Sequence, residues 1–307
     1  MTTHTPTRTH RRPWASRISD RGFNRASVLV LSLAIVAVIY PIYFIVIASV
    51  SDPNAVYNGN VWIAPSGFTL EGYQRIFSDP TIIQGFANSV LYTTLATSVS
   101  VALIITGGYA LSRRDLPGRK TITFLLVITL FFDGGMIPRY LVVQQLGLLD
   151  TVWAMILPGA VGVWNLLIAR SFFEVTLPNE LREAAQIDGA SDFRFFFSVA
   201  LPLARSLVVL MVMVHLVANW NAFFDALIYL NDSSKYPLQL VLRNILIQSD
   251  LSAGSLTGDL ESYAQAQRVG ELVKYATIVV STLPIIALVP FLQKHFTKGA
   301  LLGAVKN

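Results

Sequence analysis

The stretch LPNELREAAQIDGASDFRFFFSVALP, Leu177 to Pro202, is a polar segment set between long apolar runs. Pro178 suits a first helical turn, where its missing N–H is no loss, and Glu180 and Glu183 place negative charge near the positive end of the helix dipole. This predicts a short helix over Asn179 to Asp188. Gly189 stands where a left-handed C-terminal cap is needed, and Ser191 can N-cap a second helix. Leu201-Pro202 is expected to break that second helix before the next apolar run. On the first helix Ala184 and Ala185 are flanked by Glu183 and Asp188, giving a surface of little bulk that carries charge and can enter a groove. An amphipathic helix resting on lipid headgroups fits the same residues. Local chemistry leaves both readings open.

The chain around this knob is a membrane chain. It has 307 residues, 53% hydrophobic and 13% charged, with a mean hydropathy of +0.56. Soluble domains carry roughly 25% charged residues. There is no Cys, which excludes disulfides, thiolate catalysis and cysteine-ligated metal. The net charge of +5 could suggest a nucleic-acid partner, but the basic residues cluster beside apolar spans, where they act as a topology signal. No nucleic acid is expected.

Residues 1–25 carry six Arg and one acid, Asp20, too polar to pack a core, so a disordered cytoplasmic tail is expected, with a nucleic-acid arm as the weaker alternative. Residues 26–296 then read as one six-span domain. Span one, about 26–51, is uncharged and longer than the ~20 residues that cross a bilayer. It also exceeds the apolar core of about 7–15 residues in a cleaved signal peptide, and Pro41 is a tolerated kink. Span two, about 86–111, leads into a basic turn with Arg113, Arg114, Arg119 and Lys120 around Pro117-Gly118. Span three, about 121–140, is expected to continue past Asp133-Gly134-Gly135, and span four covers about 151–172. The knob, 177–202, follows, then span five at about 204–223, a long polar segment from Phe224 to Gly270, span six at about 272–291 and a tail over 297–307. With both ends cytoplasmic, 17 of the 23 Lys and Arg lie on inner segments and six on outer ones, Arg75, Arg139, Lys235, Arg243, Arg268 and Lys274. That asymmetry puts the knob on the cytoplasmic side of an all-α membrane protein.

No enzyme constellation is present. There is no G-x-x-x-x-G-K-[ST] phosphate loop, no H-E-x-x-H and no paired carboxylate within a span. Two ionisable residues lie inside apolar runs. Asp133 sits about 18 Å into span three at 1.5 Å per residue. It is read either as an acceptor toward a sugar hydroxyl or a neighbouring subunit, or as a partner for backbone N–H groups freed by the glycine break. His215, in span five, has no second ionisable residue one turn away, which favours a hydrogen-bonded packing role over a proton relay. Asn219, Trp220 and Asn221, followed by Phe224 and Asp225, combine amides with aromatic faces. They suit a sugar-handling surface or an ordinary interfacial belt.

Glu183-Ala184-Ala185, three residues, Gly189, nine residues, Val199, one residue, Leu201-Pro202 resembles the EAA signature of permease subunits in binding-protein-dependent ABC importers, with Val199 where that family usually has Ile. The longer match over Glu183 to Ala190 and Phe193 to Phe197, and the ending from Gly299 to Lys306, are similar to the di- and oligosaccharide (maltose and multiple-sugar) branch. The resemblance implies a transport subunit of the cytoplasmic membrane that binds no cofactor itself. A second, related permease, two ATP-binding subunits using ATP and Mg, an extracytoplasmic solute-binding protein and a sugar would complete the system. It assigns Glu183, Ala184, Ala185, Asp188, Gly189, Leu201 and Pro202 to ATPase coupling. Tyr236-Pro237-Leu238 resembles the start of a loop that reaches the binding protein, while a loop capping the bundle is the plainer reading. A permease for a non-sugar solute is the nearest alternative. An ion-gradient transporter, which would predict paired intramembrane carboxylates or matched broken helices, is more remote.

Overall fold

The computed structural model describes residues 15–254, 270, 273–288 and 290, with side chains described from residue 22 to 247 and at 270, 273–288 and 290. Most of the expected N-terminal tail, the whole C-terminal tail and residues 255–269 lie outside these. All regular structure among the described residues is helical. Contacts divide the chain into a unit ending at Thr69 and a larger unit beginning at Leu70.

The first unit is α1 (Ala15–Ser49), α2 (Pro53–Tyr57) and the loop to Thr69. Helix α1 begins eleven residues before the expected membrane edge, because a helix already formed in the apolar run gains one hydrogen bond for each residue it adds outward. Pro41 sits within it without ending it. The consecutive residues Val28, Leu29, Val30 and Leu31 point about 100° apart and are all more than half exposed, so this stretch of α1 is apolar on every side, as in a membrane span. Asp52 caps α2 by accepting the Asn54 N–H at 2.8 Å, and the hydroxyls of Tyr40 and Tyr43 donate to the carbonyls of Trp62 and Ile63.

The second unit is organised around a single long helix. It comprises α3 (Glu71–Ser78), α4 (Pro80–Ser112), α5 (Arg119–Phe131), α6 (Met136–Gln145), α7 (Val152–Ile156), α8 (Val163–Thr176) and α9 (Asn179–Ile187). Then come α10 (Asp192–Phe195), a π turn (Phe196–Ala200), α11 (Leu201–Leu203), α12 (Arg205–Trp220), α13 (Phe224–Tyr229), a 3-10 turn (Ser233–Lys235), α14 (Leu238–Gly254) and α15 (Val273–Leu288). Asp79 caps α4 by accepting the Thr81 N–H, and α8, α12 and α14 all pack on α4. Its buried face is built from small residues, Ser89, Thr93, Ala96, Thr97, Ser100 and Gly108, which let backbones approach closely where hydrophobic burial supplies no preference between helix and lipid. The approach is tightest at Gly108, where an added Cβ would lie 2.6 Å from the Ala169 Cβ and 3.0 Å from the Arg170 nitrogen.

The expected spans differ from the helices in two places. The run at 121–140 is not one helix but α5 and α6, bent by 120° at Asp133-Gly134-Gly135. The Asp133 carboxylate accepts the Gly135 N–H at 3.2 Å, so side chain and glycine together turn the backbone away from its helical path. The run at 151–172 is likewise two helices, α7 and α8, separated by Leu157 to Gly162, where Pro158, Gly159 and Gly162 interrupt the hydrogen-bond ladder. Among the described residues two single helices, Gly22–Ser49 and Pro80–Ser112, are long and apolar enough to cross a bilayer alone. The number rises to four if each bent pair counts as one span. The segment after Phe223, expected as polar loop, folds into α13 and α14, and α14 packs on α4.

Candidate functional site

Helix α9 starts after Pro178 and is closed by a Schellman cap. Gly189 has φ +76°, its N–H donates to the Gln186 carbonyl at 3.0 Å, and the Ala190 N–H donates to the Ala185 carbonyl at 2.9 Å. The Ser191 hydroxyl caps α10 by accepting the Arg194 N–H at 3.3 Å. Glu183, Ala184 and Asp188 are exposed. Ala185 is half-buried and packs against the core formed by Ile104, Tyr109, Phe173, Phe195 and Phe196, which seats the knob on the ends of α4 and α8. Ile187 is 87% and Phe193 79% exposed, so an uncovered apolar surface lies beside the charged one.

The break expected at Leu201-Pro202 falls two residues later. Pro202 cannot donate to the preceding turn, which widens so that the Leu201 N–H reaches the Phe196 carbonyl; the chain then bends by 75° at Ala204.

An ion network binds the knob to the basic turn between α4 and α5. The Asp115 carboxylate is held by two guanidinium groups. Arg113 donates through Nε at 3.1 Å and Nη2 at 2.7 Å, and Arg182 donates through Nη1 at 2.9 Å and Nη2 at 2.7 Å. Arg113 also reaches Asp192, the first residue of α10, at 2.8 Å. These bonds from Arg113 and then Arg182 hold the Asp115 carboxyl far below the usual carboxylate range, and the bond to Asp115 pushes the Arg113 guanidinium further up. Nearby, Arg119 pairs with Glu174, Arg170 reaches Glu174 at 3.1 Å and Thr123 at 3.0 Å, and Arg119 Nε donates to the Leu111 carbonyl at 2.8 Å. Arg113, Arg119, Arg170, Glu174 and Arg182 line a cleft of about 610 Å3 under the N-terminus of α9. Sequence reasoning took the basic residues as a topology signal only. The missed clue was Asp115, the one acid in the run Arg113 to Lys120.

The other expected site residues are not brought together. Asp133 lies 3.6 Å from Arg139 across the α5–α6 bend. Asn219 donates to the Thr97 hydroxyl at 3.3 Å, and Asn221, exposed, donates to the Val217 carbonyl at 2.8 Å. Trp220 is buried; its indole donates to the Ser281 carbonyl at 2.9 Å and meets Phe86 edge-on at 5.7 Å. Its aromatic face and N–H are committed to packing α12, α4 and α15. His215 is buried with a ring nitrogen 3.2 Å from the Asn165 amide. In Tyr236-Pro237-Leu238, Pro237 and Leu238 are buried, and the Leu238 N–H donates to the Ser89 hydroxyl at 2.8 Å. Asn88 and Tyr92 of α4 take the Ser234, Tyr236 and Lys235 carbonyls. The accessible edge is Asn231 to Ser234, where Lys235 binds Asp150 at 2.6 Å and holds its carboxyl below the ordinary range. Among the described residues no group of three His, Asp or Glu is placed to hold a metal ion.

A bundle of this kind, carrying a capped helical knob between α8 and α12, defines a membrane permease. Residues 120–302 match the family model of the binding-protein-dependent transport system inner membrane component, and the chain belongs to that family. It is the permease subunit of a binding-protein-dependent importer. It is similar to Protein LplC of Bacillus subtilis, 42% identical over 94% of this chain and 96% of that one. It is also similar to the polygalacturonan/rhamnogalacturonan transport system permease protein YtcP of the same organism, 41% identical over 90% of this chain and 95% of that protein. Among solved structures, a chain of a bacterial ABC transporter involved in the import of the acidic polysaccharide alginate superposes with a TM-score of 0.82 at 30% identity, covering 95% of this chain and all of that one.

Proposed function

We propose that the chain forms half of a carbohydrate pore in the cytoplasmic membrane, paired with a second permease and served by two ATPase subunits and an extracytoplasmic binding protein. The observation that carries this is the knob: Glu183, Ala184 and Asp188 are presented to solvent on a helix capped at Gly189, beside the uncovered Ile187 and Phe193. A charged, small-residue helix with an apolar margin is shaped to enter a groove, where Glu183 fixes register, the alanines allow close approach and the exposed apolar pair adds buried area. The chain would cross the membrane six times with both ends inside. ATP binding and Mg stay with the partner subunits, whose closure would rock the knobs and alternate access to the pore.

The substrate is proposed as an oligosaccharide, and uronate-bearing ones come first because YtcP is named for polygalacturonan and rhamnogalacturonan and the compared solved transporter for the acidic polysaccharide alginate. Asp133, with Arg139 beside it, and Asn219 and Asn221 remain proposed path residues; Trp220 is proposed as a packing residue instead. The test is co-purification of the detergent-solubilised permease with its ATPase, comparing the natural chain with Glu183→Ala and Gly189→Pro, alongside uptake of labelled uronate oligosaccharides into vesicles. Loss of the ATPase from the variants, with the permease still folded, is the expected result. Uptake that persists with no ATPase bound but is abolished by an ionophore would sink the proposal.

A further inference from the structure

Resting on the functional reading above, we propose that the turn at residues 113–119 is a third seat of the knob, in which Asp115 and Arg182 are positioning residues that deliver knob movement directly to α4. By chain connection alone the knob is joined only to α8 before it and α12 after it. The ion network adds a third attachment. Asp115 lies three residues beyond the end of α4 and grips Arg182 of α9 through two parallel bonds of 2.9 and 2.7 Å. Such a fork fixes orientation as well as distance. Arg113 binds the same carboxylate and extends to Asp192, so one turn holds both α9 and α10.

Consecutive residues on a helix point about 100° apart. Arg182 is therefore turned to the basic turn while Glu183 and Ala184 stay exposed, and α9 is gripped on one side with the other side free. The far end of the turn is also tied, since Arg119 pairs with Glu174 of α8 and donates to the last turn of α4 at Leu111. Because α8, α12 and α14 pack on α4, a displacement handed to the end of α4 is passed to those three helices. A network sharing one carboxylate between two guanidinium groups also loses less side-chain entropy per bond than isolated surface pairs do.

The importer reconstituted in proteoliposomes with its ATPase, second permease and binding protein provides the test, read as sugar taken up per ATP hydrolysed. Asp115→Arg, Arg182→Asp, the double charge swap and the near-isosteric Asp115→Asn are compared with the natural chain. The single reversals are expected to keep the ATPase bound yet lower uptake roughly three- to tenfold more than hydrolysis, with Asp115→Asn showing the same split in smaller degree. The swap restores the 115–182 attraction but sets like charges beside Arg113 and Asp192, so it is expected to recover part of the loss. Equal falls in uptake and hydrolysis, or a swap no better than the singles, would overturn the inference, since a merely structural pair changes the amount of folded protein and not the ratio. If the natural chain shows no ATP-dependent uptake at all, the functional reading fails and this inference falls with it.

Discussion

Gly108 and Trp220 illustrate how much of this protein rests on single contacts between helices. With only 2.6 Å between a new Cβ at Gly108 and the Ala169 Cβ, and backbone at 3.0 Å behind it, the Gly108→Ala change has no flexible side chain to displace. It is expected to cost about 1–3 kcal/mol as overpacking, read as a lower unfolding temperature in detergent. Trp220→Ala should cost about 3–5 kcal/mol, since it empties a packed site and removes the indole bond to the Ser281 carbonyl of α15. If Trp220 packs rather than handles sugar, the yield of folded protein drops while the apparent sugar affinity of what remains is unchanged. At Asp150 the depressed carboxyl sets the sign of a pH effect. A folded value below the unfolded one, about 3.9, gives stabilisation that is complete above that value and lost as pH falls through the folded value. The stability gap between the natural chain and Asp150→Asn is thus expected to stay constant from about pH 8 to 5 and to close only below about 4. Thermal unfolding across that range is the check, and a gap that closes between pH 7 and 6 would exclude this origin.

At the scale of elements, the knob shows why a local motif was readable. A Schellman cap, a serine N-cap and a proline act over four or five residues, so their meaning is contained in the sequence that carries them. Gly189 at φ +76° makes the point testable. Asn accepts the left-handed region and Val does not, so Gly189→Asn is expected to retain ATPase binding while Gly189→Val weakens it roughly tenfold, measured by binding of the isolated ATPase to permease in nanodiscs. The bends were only partly readable. Asp133-Gly134-Gly135 marks a break, but 120° rather than a modest kink depends on where the chain beyond it packs, and a hydropathy run carries no direction. The run at 151–172 was read as one span because its mean hydropathy hides Pro158, Gly159 and Gly162.

For the molecule as a whole, the proposed six-span topology predicts that Ala184 and Asn231 lie on opposite sides of the membrane. The chain has no Cys, so Ala184→Cys and Asn231→Cys can each be introduced as the single thiol. An impermeant maleimide added to intact cells is expected to label position 231 and not 184, with inverted vesicles giving the reverse. Labelling of both from one side would overturn the topology. Two long-range links belong to the same scale: Asp115, in the turn just after α4, joins Arg182 across 67 residues, and Asn88 of α4 reaches Ser234 across 146.

The sequence by itself determined that the chain lives in a membrane, that a capped helix pair lies between apolar runs, and that most of the positive charge gathers in a few of the segments between those runs. Those properties follow from composition and from interactions a few residues long. Only the tertiary structure decided that α4 is the hub, that Trp220, Pro237 and Leu238 are buried, and that Asp115 and Arg182 meet. Each depends on which faces of distant helices come together, and in an apolar chain nearly every face is hydrophobic enough to be either lipid-facing or buried. Close packing of small residues makes that choice, and the spacing along the chain does not record it.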